Sequence, residues 1–327
     1  MGKSARFAGR TALVTGAGGF IGAAVCRRLA DEGAEVVGLE IDRAAAERVR
    51  GAGARFVACD VTDPAALRAA WPDAGLVVHT AAHVREHGAM EEFVELNVRG
   101  TVNVLDAAAE GGAERVVHVS SVVVYGYDDP SEQGEDALHR TYGIPYIDTK
   151  SASDRIALAR GAIAIRPGDV YGPGSLWVKR PLELARAGLL SVPHPGTGLM
   201  LPVYVDDLVE AILLGLERGR PGRAYAVWSG ERVTFRDYFD RFARMVGHGR
   251  ARRLPRPLLV AIAAALERGA RVLGRPPSFT VAAIVFVDRR GTVSTERIRG
   301  ELGWEPRVTL DEGLRRVELW ARAEGLL

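Results

Sequence analysis

Lysine is nearly absent from this chain: of 43 basic residues only Lys3, Lys150 and Lys179 are lysine, and arginine supplies every other side-chain cation. Each remaining lysine is therefore informative, because a compact ammonium is kept where the planar fork of arginine does not serve. Cysteine is scarcer still. Cys26 and Cys59 fall in a predicted helix and at a predicted strand end, with no metal-like spacing between them, so core packing is their expected role. Long apolar runs are missing as well. The longest, Leu258 to Leu266, is far short of the ~20 residues that span a bilayer, and the N-terminal residues hold no long apolar segment resembling a signal peptide, so the expected location is cytoplasmic. No charge of one sign dominates: 43 basic residues face 41 acidic ones, the net charge is +2, and no basic block marks a nucleic-acid surface. No internal repeat is visible, and the alanine, glycine and arginine richness runs evenly along the chain.

What is present is a chain of 327 residues, enough to bury on the order of three quarters of its unfolded surface and to divide into two domains. Thr11 to Thr15 reads as a short apolar strand, followed at once by Gly16-Ala17-Gly18-Gly19-Phe20-Ile21-Gly22 and an amphipathic helix to about Ala30. That order suits a dinucleotide. Gly16 permits a tight turn, Gly19 lets the backbone approach a pyrophosphate at the helix N-terminus, and Gly22 allows the helix to pack closely on the strand. A second strand, Val36 to Leu39, ends in Glu40, whose carboxylate would accept bonds from an adenosine ribose and repel a 2'-phosphate. NAD is thereby favoured over NADP, with Arg43 close enough to act in the other direction.

Alternation continues through strand Arg55 to Cys59, a helix from about Pro64, strand Leu76 to His79, a long helix from about Glu91 to Glu110, strand Arg115 to Ser120, a helix around Tyr146 to about Arg160, and strand Ile163 to Arg166. Repeated units of this size predict an α/β fold: a doubly wound parallel Rossmann sheet with ligands at the carboxyl ends of its strands, joined to a smaller mixed C-terminal domain. On the helix around Tyr146, the phenol and the Lys150 ammonium lie four residues apart and share a face. Tyrosine titrates near pH ~10, and a neighbouring cation would lower that value toward neutrality; the alternative is an exposed surface pair. His79, His83 and His87 recur every four residues, but His79 ends a strand, so packing beside the cofactor loop (His79) and pocket lining (His83, His87) are favoured over a metal face.

Taken together these segments resemble the extended short-chain dehydrogenase/reductases of the NAD-dependent epimerase/dehydratase and 3β-hydroxysteroid dehydrogenase type. The resemblance rests on Thr15 to Gly22, Asp60-Val61, His79 to Ala82, Asn97 to Thr101, Ser120-Ser121 with Tyr125-Gly126, Tyr146 with Lys150, Arg166-Pro167 with Tyr171 to Pro173, and Val205 to Asp207. These run in family order over about the first 210 residues, and Leu302 to Pro306 resembles the family's ending. It implies that Ser121, with Ser120 as competitor, polarises a substrate oxygen. It also implies that Tyr146 exchanges a proton with that oxygen while Lys150 holds the nicotinamide ribose and lowers the tyrosine pKa. Asp60, Val61, Thr80, Ala81, Ala82, Pro167 and Val170 become expected cofactor contacts, beside Gly16, Gly18, Gly19, Phe20, Ile21, Gly22 and Glu40. Asn97 is expected near the active site, or else bonded only to neighbouring backbone. In the resembling family the pair Asp206-Asp207 is structural, and homodimerisation through two sheet-flanking helices is usual.

Departures from the family pattern bear on the substrate. Val122-Val123-Val124 stands where sugar-nucleotide dehydratases carry an acidic pair, which argues against dehydration. Asp169 and Met200 stand where epimerases hold groups that bind a diphosphate; the one is expected to repel it and the other cannot pair with it. Lys179, Arg180 and Arg186 either bind phosphate or form a solvated helix face. Residues 1–167 with 202–228 are expected to form the NAD unit, and 168–201 with 229–327 the substrate unit. In the latter, Leu258 to Leu266 and Val281 to Phe286 offer more apolar surface than one thin layer needs. The expected activity is interconversion of a secondary alcohol and a ketone on a largely apolar small molecule. The alternatives are a sugar-nucleotide epimerase with retained NAD and a non-catalytic NAD-binding regulator.

Overall fold

Seven short apolar segments join in one sheet: β1 (Thr11–Thr15), β2 (Glu35–Glu40), β3 (Ala54–Ala58), β4 (Leu76–His79), β5 (Arg115–Val119), β6 (Ile163–Pro167) and β7 (Ala224–Val227). In the computed structural model, which describes residues 5–327, their order is β7-β6-β5-β4-β1-β2-β3 and every pairing is parallel. Residues 1–4, and Lys3 with them, lie outside the described residues. The strand order reverses between β1 and β4, and a crevice opens at such a switch point beyond the carboxyl ends of the strands.

Both sheet faces are covered, because successive strand residues point opposite ways. Ala12 and Val14 of β1 enter one core with Val25 and Leu29 of helix Phe20–Asp31 and with Leu208 and Ile212 of helix Val205–Arg218. Leu13, between them, enters the other core with Leu67 and Val104. Cys26 and Cys59 are free and buried, and burial pushes the Cys26 thiol up to about 12. The helix expected over Glu91 to Glu110 is less regular than its sequence suggests. It begins at Met90–Phe93, widens into a π-helical turn over Val94–Gly100 and continues over Thr101–Glu110. Such turns are frequent at functional sites, and this one carries Asn97.

Short ladders tie the remaining chain to this frame. Asp169–Tyr171 pairs with Pro202–Tyr204, Leu199–Met200 with Val233–Thr234, Ser191–Pro193 with Arg252–Leu254, and Glu132–Gln133 with Thr292–Val293. Asp207 accepts the backbone N–H groups of Arg307 (3.1 Å) and Val308 (3.0 Å), while the Trp304 indole donates to the Asp207 carbonyl at 2.9 Å. Asp207 is thus a structural carboxylate, and Asp206 beside it lies 3.7 Å from Arg316.

Candidate active site at the sheet switch point

β1 delivers its glycine turn directly into the crevice. Gly16 has φ +66, and a Cβ there would lie 2.9 Å from the Ala81 backbone; a Cβ on Gly22 would lie 2.1 Å from the Gly16 carbonyl oxygen. The following helix starts from an extended Gly19 with no side-chain cap and no acidic residue in its first turn. Its leading N–H groups, Phe20 and Ile21 among them, are therefore left for an anion, and the helix dipole favours negative charge there. Around the turn, the Thr80 hydroxyl donates to the Thr15 carbonyl at 2.6 Å, which fixes the start of the segment Thr80, Ala81, Ala82. Asp60 accepts from the Thr62 amide and hydroxyl, both at 2.8 Å, and the Val61 carbonyl accepts from Asn103 at 3.0 Å. Pro167 closes β6, and Val170 lies in the ladder opposite Val203.

Glu40 is engaged by the protein itself. Its carboxylate accepts the amides of Gly18 (3.0 Å), Ile41 (2.9 Å) and Asp42 (3.2 Å), which places negative charge against the glycine turn. Arg43, the cation that the sequence brings to attention, is exposed, whereas Arg48 donates to the Gly18 carbonyl at 2.5 Å. An uncapped helix N-terminus, glycines without room for a Cβ and a carboxylate at the end of β2 fit a dinucleotide.

Helix Pro145–Ala159 positions the tyrosine and the lysine. Proline suits the first helical turn, and Asp148 reaches back to accept the amides of Tyr142 (2.8 Å) and Gly143 (2.9 Å), satisfying N–H groups ahead of the helix. Tyr146 is half-buried, and the Ser121 hydroxyl lies near enough to its phenol to act on the phenol pKa. Ser121 also receives the Val123 amide at 3.3 Å. Ser120 is likewise buried, but its hydroxyl has no partner among the described residues. The Lys150 ammonium is buried and donates to the Val119 carbonyl at 2.7 Å; burial drives its pKa down to about 8, opposed by the Asp154 carboxylate.

One expectation from the sequence needs correction here. Burial raises the Tyr146 pKa; the Ser121 hydrogen bond and Arg289 act downward, Asp169 acts upward, and Lys150 is not among the groups that move it. In the protein alone the ammonium is held by the Val119 carbonyl.

Asn97 bonds beyond its own helix. Its side chain accepts from the His83 amide (2.7 Å) and donates to the His83 carbonyl (3.1 Å) and to the Thr149 hydroxyl (3.0 Å), thereby joining the loop after β4 to the helix of Tyr146. His79 is buried between the hydroxyls of Thr15 (2.7 Å) and Thr101 (3.0 Å), and burial, with Lys150 nearby, depresses it to about 3. The His83 ring lies edge-on to Phe93 at 5.5 Å. Among the described residues no cluster of potential ligands could hold a metal ion.

A second correction concerns Asp169. It does not present a free charge: it is buried and ion-paired with Arg289 at 2.7 and 3.3 Å, and it accepts the Leu201 amide at 2.8 Å. Arg289 also lies over the Tyr127 ring, 5.1 Å from its centroid. Tyr127 packs tilted against Phe286 at 5.4 Å, and Phe286 meets Tyr146 edge-on at 6.2 Å. The helix Val281–Phe286 therefore supplies an aromatic wall beside the tyrosine, with Val123, Tyr142 and Ile144 in the same apolar cluster. Met200 is fully buried, and Lys179, Arg180 and Arg186 occupy the exposed face of their helix. Sequence reasoning missed Arg289, Tyr127, Thr149 and Phe286 as individual neighbours of the site. The only signal was the apolar run ending at Phe286, since Asp169 and Arg289 are 120 positions apart.

Comparison with known proteins agrees with this geometry. A family model described as the NAD dependent epimerase/dehydratase family matches residues 12–227. A 2-alkyl-3-oxoalkanoate reductase of Stenotrophomonas maltophilia is 30% identical over 94% of this chain and 98% of its own length. A 4-hydroxy-2-methyl-3-oxo-4-farnesyl-3,4-dihydroquinoline-1-oxide ketoreductase of Stigmatella aurantiaca is 27% identical over 92% of this chain and 94% of its own. Among solved structures, the dTDP-glucose 4,6-dehydratase DesIV of Streptomyces venezuelae, with NAD and TYD bound, superposes with a TM-score of 0.78 at 26% identity, covering 97% of this chain and all of that one. The chain belongs to the NAD dependent epimerase/dehydratase family and is an NAD(P)-dependent oxidoreductase.

Proposed function

We propose that the protein uses NAD to interconvert a ketone and a secondary alcohol on a largely apolar small molecule. The observation that carries this reading is the Tyr146 phenol beside the Ser121 hydroxyl, walled by Phe286 and the neighbouring apolar cluster. NAD, when bound, supplies or accepts the hydride. Ser121 and Tyr146 act together on the substrate oxygen, Ser121 by donating a hydrogen bond and Tyr146 by giving up its proton as the ketone is reduced. Burial keeps the Tyr146 phenol protonated at neutral pH, so it holds the proton that reduction of a ketone consumes. In this reading Lys150 holds the nicotinamide ribose, and Asn97 steadies the loop after β4 through the His83 amide.

Apolar surroundings and a Val122-Val123-Val124 turn without acid or base favour a reductase over a dehydratase. The names of the two reductase relatives, one acting on an oxoalkanoate and one on a farnesylated quinoline oxide, point the same way. Glu40 against the glycine turn supports NAD over NADP. Replacing Tyr146 by phenylalanine is expected to lower turnover by about 10²–10⁴-fold and to leave NADH affinity unchanged by fluorescence titration. Full activity in Tyr146→Phe, on a panel of apolar ketones followed by NADH absorbance, overturns the assignment. Retained NAD together with isomerisation of a sugar nucleotide would identify an epimerase instead.

A further inference from the structure

Helix Arg256–Val272 buries only Leu259 and Ala263, which pack with Ile284. Its opposite face points to solvent, and that face is apolar throughout. Leu258, Ala261, Ile262, Ala265, Leu266 and Val272 recur there at three- and four-residue spacings, all exposed, and Leu273 extends the stripe with 70% of its surface in solvent. Contiguous apolar surface of this kind is seldom left bare on a soluble protein. The surrounding charge is almost entirely of one sign: between positions 250 and 275 the sequence has seven arginines and one acid, Glu267. Glu267 faces inward and accepts the Val281 amide at 3.0 Å. Arg256 is paired with Asp288 and Arg253 approaches Asp240, whereas Arg268, Arg271 and Arg275 make no ion pair among the described residues.

We propose that this helix is a docking surface for an anionic lipid bilayer, lying in the plane of the membrane with its apolar stripe among the acyl chains and its arginines at the headgroups. An interfacial helix has this construction, an apolar face bordered by arginines whose stems reach back to the phosphates. No helix among the described residues is long and apolar enough to cross a membrane, so the contact is peripheral. Charge decides against a second copy as occupant. Two such faces pressed together by a two-fold axis would set arginine clusters against each other, with no acid on either face to offset them. Position gives the contact a purpose. The docking helix packs on Val281–Phe286, whose Phe286 forms the wall beside Tyr146, so a bilayer at this face stands next to the apolar side of the candidate site. This last link rests on the function proposed above, whereas lipid binding itself does not.

The test is sedimentation of the full chain with vesicles of phosphatidylglycerol mixed with phosphatidylcholine, and with vesicles of phosphatidylcholine alone. Wild type is expected to sediment with the anionic vesicles and to be released by salt. The exposed-face variant L258E/I262E/L266E is expected to remain in the supernatant with an unchanged circular dichroism spectrum. Neutralising Arg268, Arg271 and Arg275 to Gln is expected to lower partitioning by about 100-fold, at roughly fivefold per arginine. Because no turnover is measured, failure here is distinguishable from failure of the catalytic reading. Equal binding to both vesicle types, no binding to either, or a wild-type dimer that L258E/I262E/L266E splits into monomers without any lipid binding overturns the proposal.

Discussion

Arg289→Met tests how the C-terminal segment is fastened to the site. The substitution removes both bonds to Asp169 and leaves that buried carboxylate with only the Leu201 amide among its observed partners. Stripping one partner from a buried ion pair costs about 3–5 kcal/mol, because the remaining charge is still desolvated. With an unfolding entropy of about 2.1 cal/mol/K per residue over the chain, that cost corresponds to a fall in Tm of about 4–7 °C. Asp169→Asn combined with Arg289→Gln removes the stranded charge and is expected to recover most of the loss. The same pair should separate in a pH profile. Asp169 raises the Tyr146 pKa and Arg289 lowers it, so Arg289→Met moves the ascending limb of alcohol oxidation, along which Tyr146 loses its proton, to higher pH and Asp169→Asn moves it to lower pH. Thermal melts by circular dichroism and initial rates across pH make both measurements. The reasoning is refuted if Arg289→Met melts with wild type, if the double variant is no more stable than the single one, or if the two substitutions shift the limb in the same direction.

Lys150→Met is expected to stabilise the ligand-free protein while abolishing turnover. The folded pKa is depressed to about 8. From there to about 10.4 the unfolded chain holds a proton that the folded chain does not, so this group makes stability rise with pH. At neutral pH its removal should therefore add on the order of 1–3 kcal/mol, a gain that shrinks above pH 8; a less stable variant at pH 7 contradicts this account. Asn97→Ala strands the His83 amide and carbonyl, at about 1–3 kcal/mol per unsatisfied group. Faster hydrogen exchange across the loop after β4 should report it, and unchanged exchange would speak against the tie. Glu40→Ala removes the carboxylate from the glycine turn and should raise the NADPH-to-NADH ratio of kcat/KM by about 10-fold or more. A constant ratio would show that Glu40 does not select the cofactor.

Much of the frame was legible because it is local. A strand, a glycine turn and an amphipathic helix are written in consecutive residues, and six of the seven strands recur at spacings that leave a parallel sheet as the consistent arrangement; the seventh, Ala224–Val227, carries no such local signal. Tyr146 and Lys150 share one helix, and four-residue spacing alone puts them on a common face. The scarcity of lysine added weight that no geometry could. Tertiary structure decided what depends on separation along the chain. The sequence leads one to expect that Asp169 repels a diphosphate, but Arg289, 120 residues away, pairs with it. The apolar run Val281 to Phe286 could have been core or pocket, and it is both, with Ile284 turned to Leu259 and Phe286 to Tyr146. Lys150 could not be aimed from sequence, because its direction is set by a carbonyl at the end of β5. Periodicity fixes which residues share a face, but which face meets which is settled only when distant segments compete for the same buried volume.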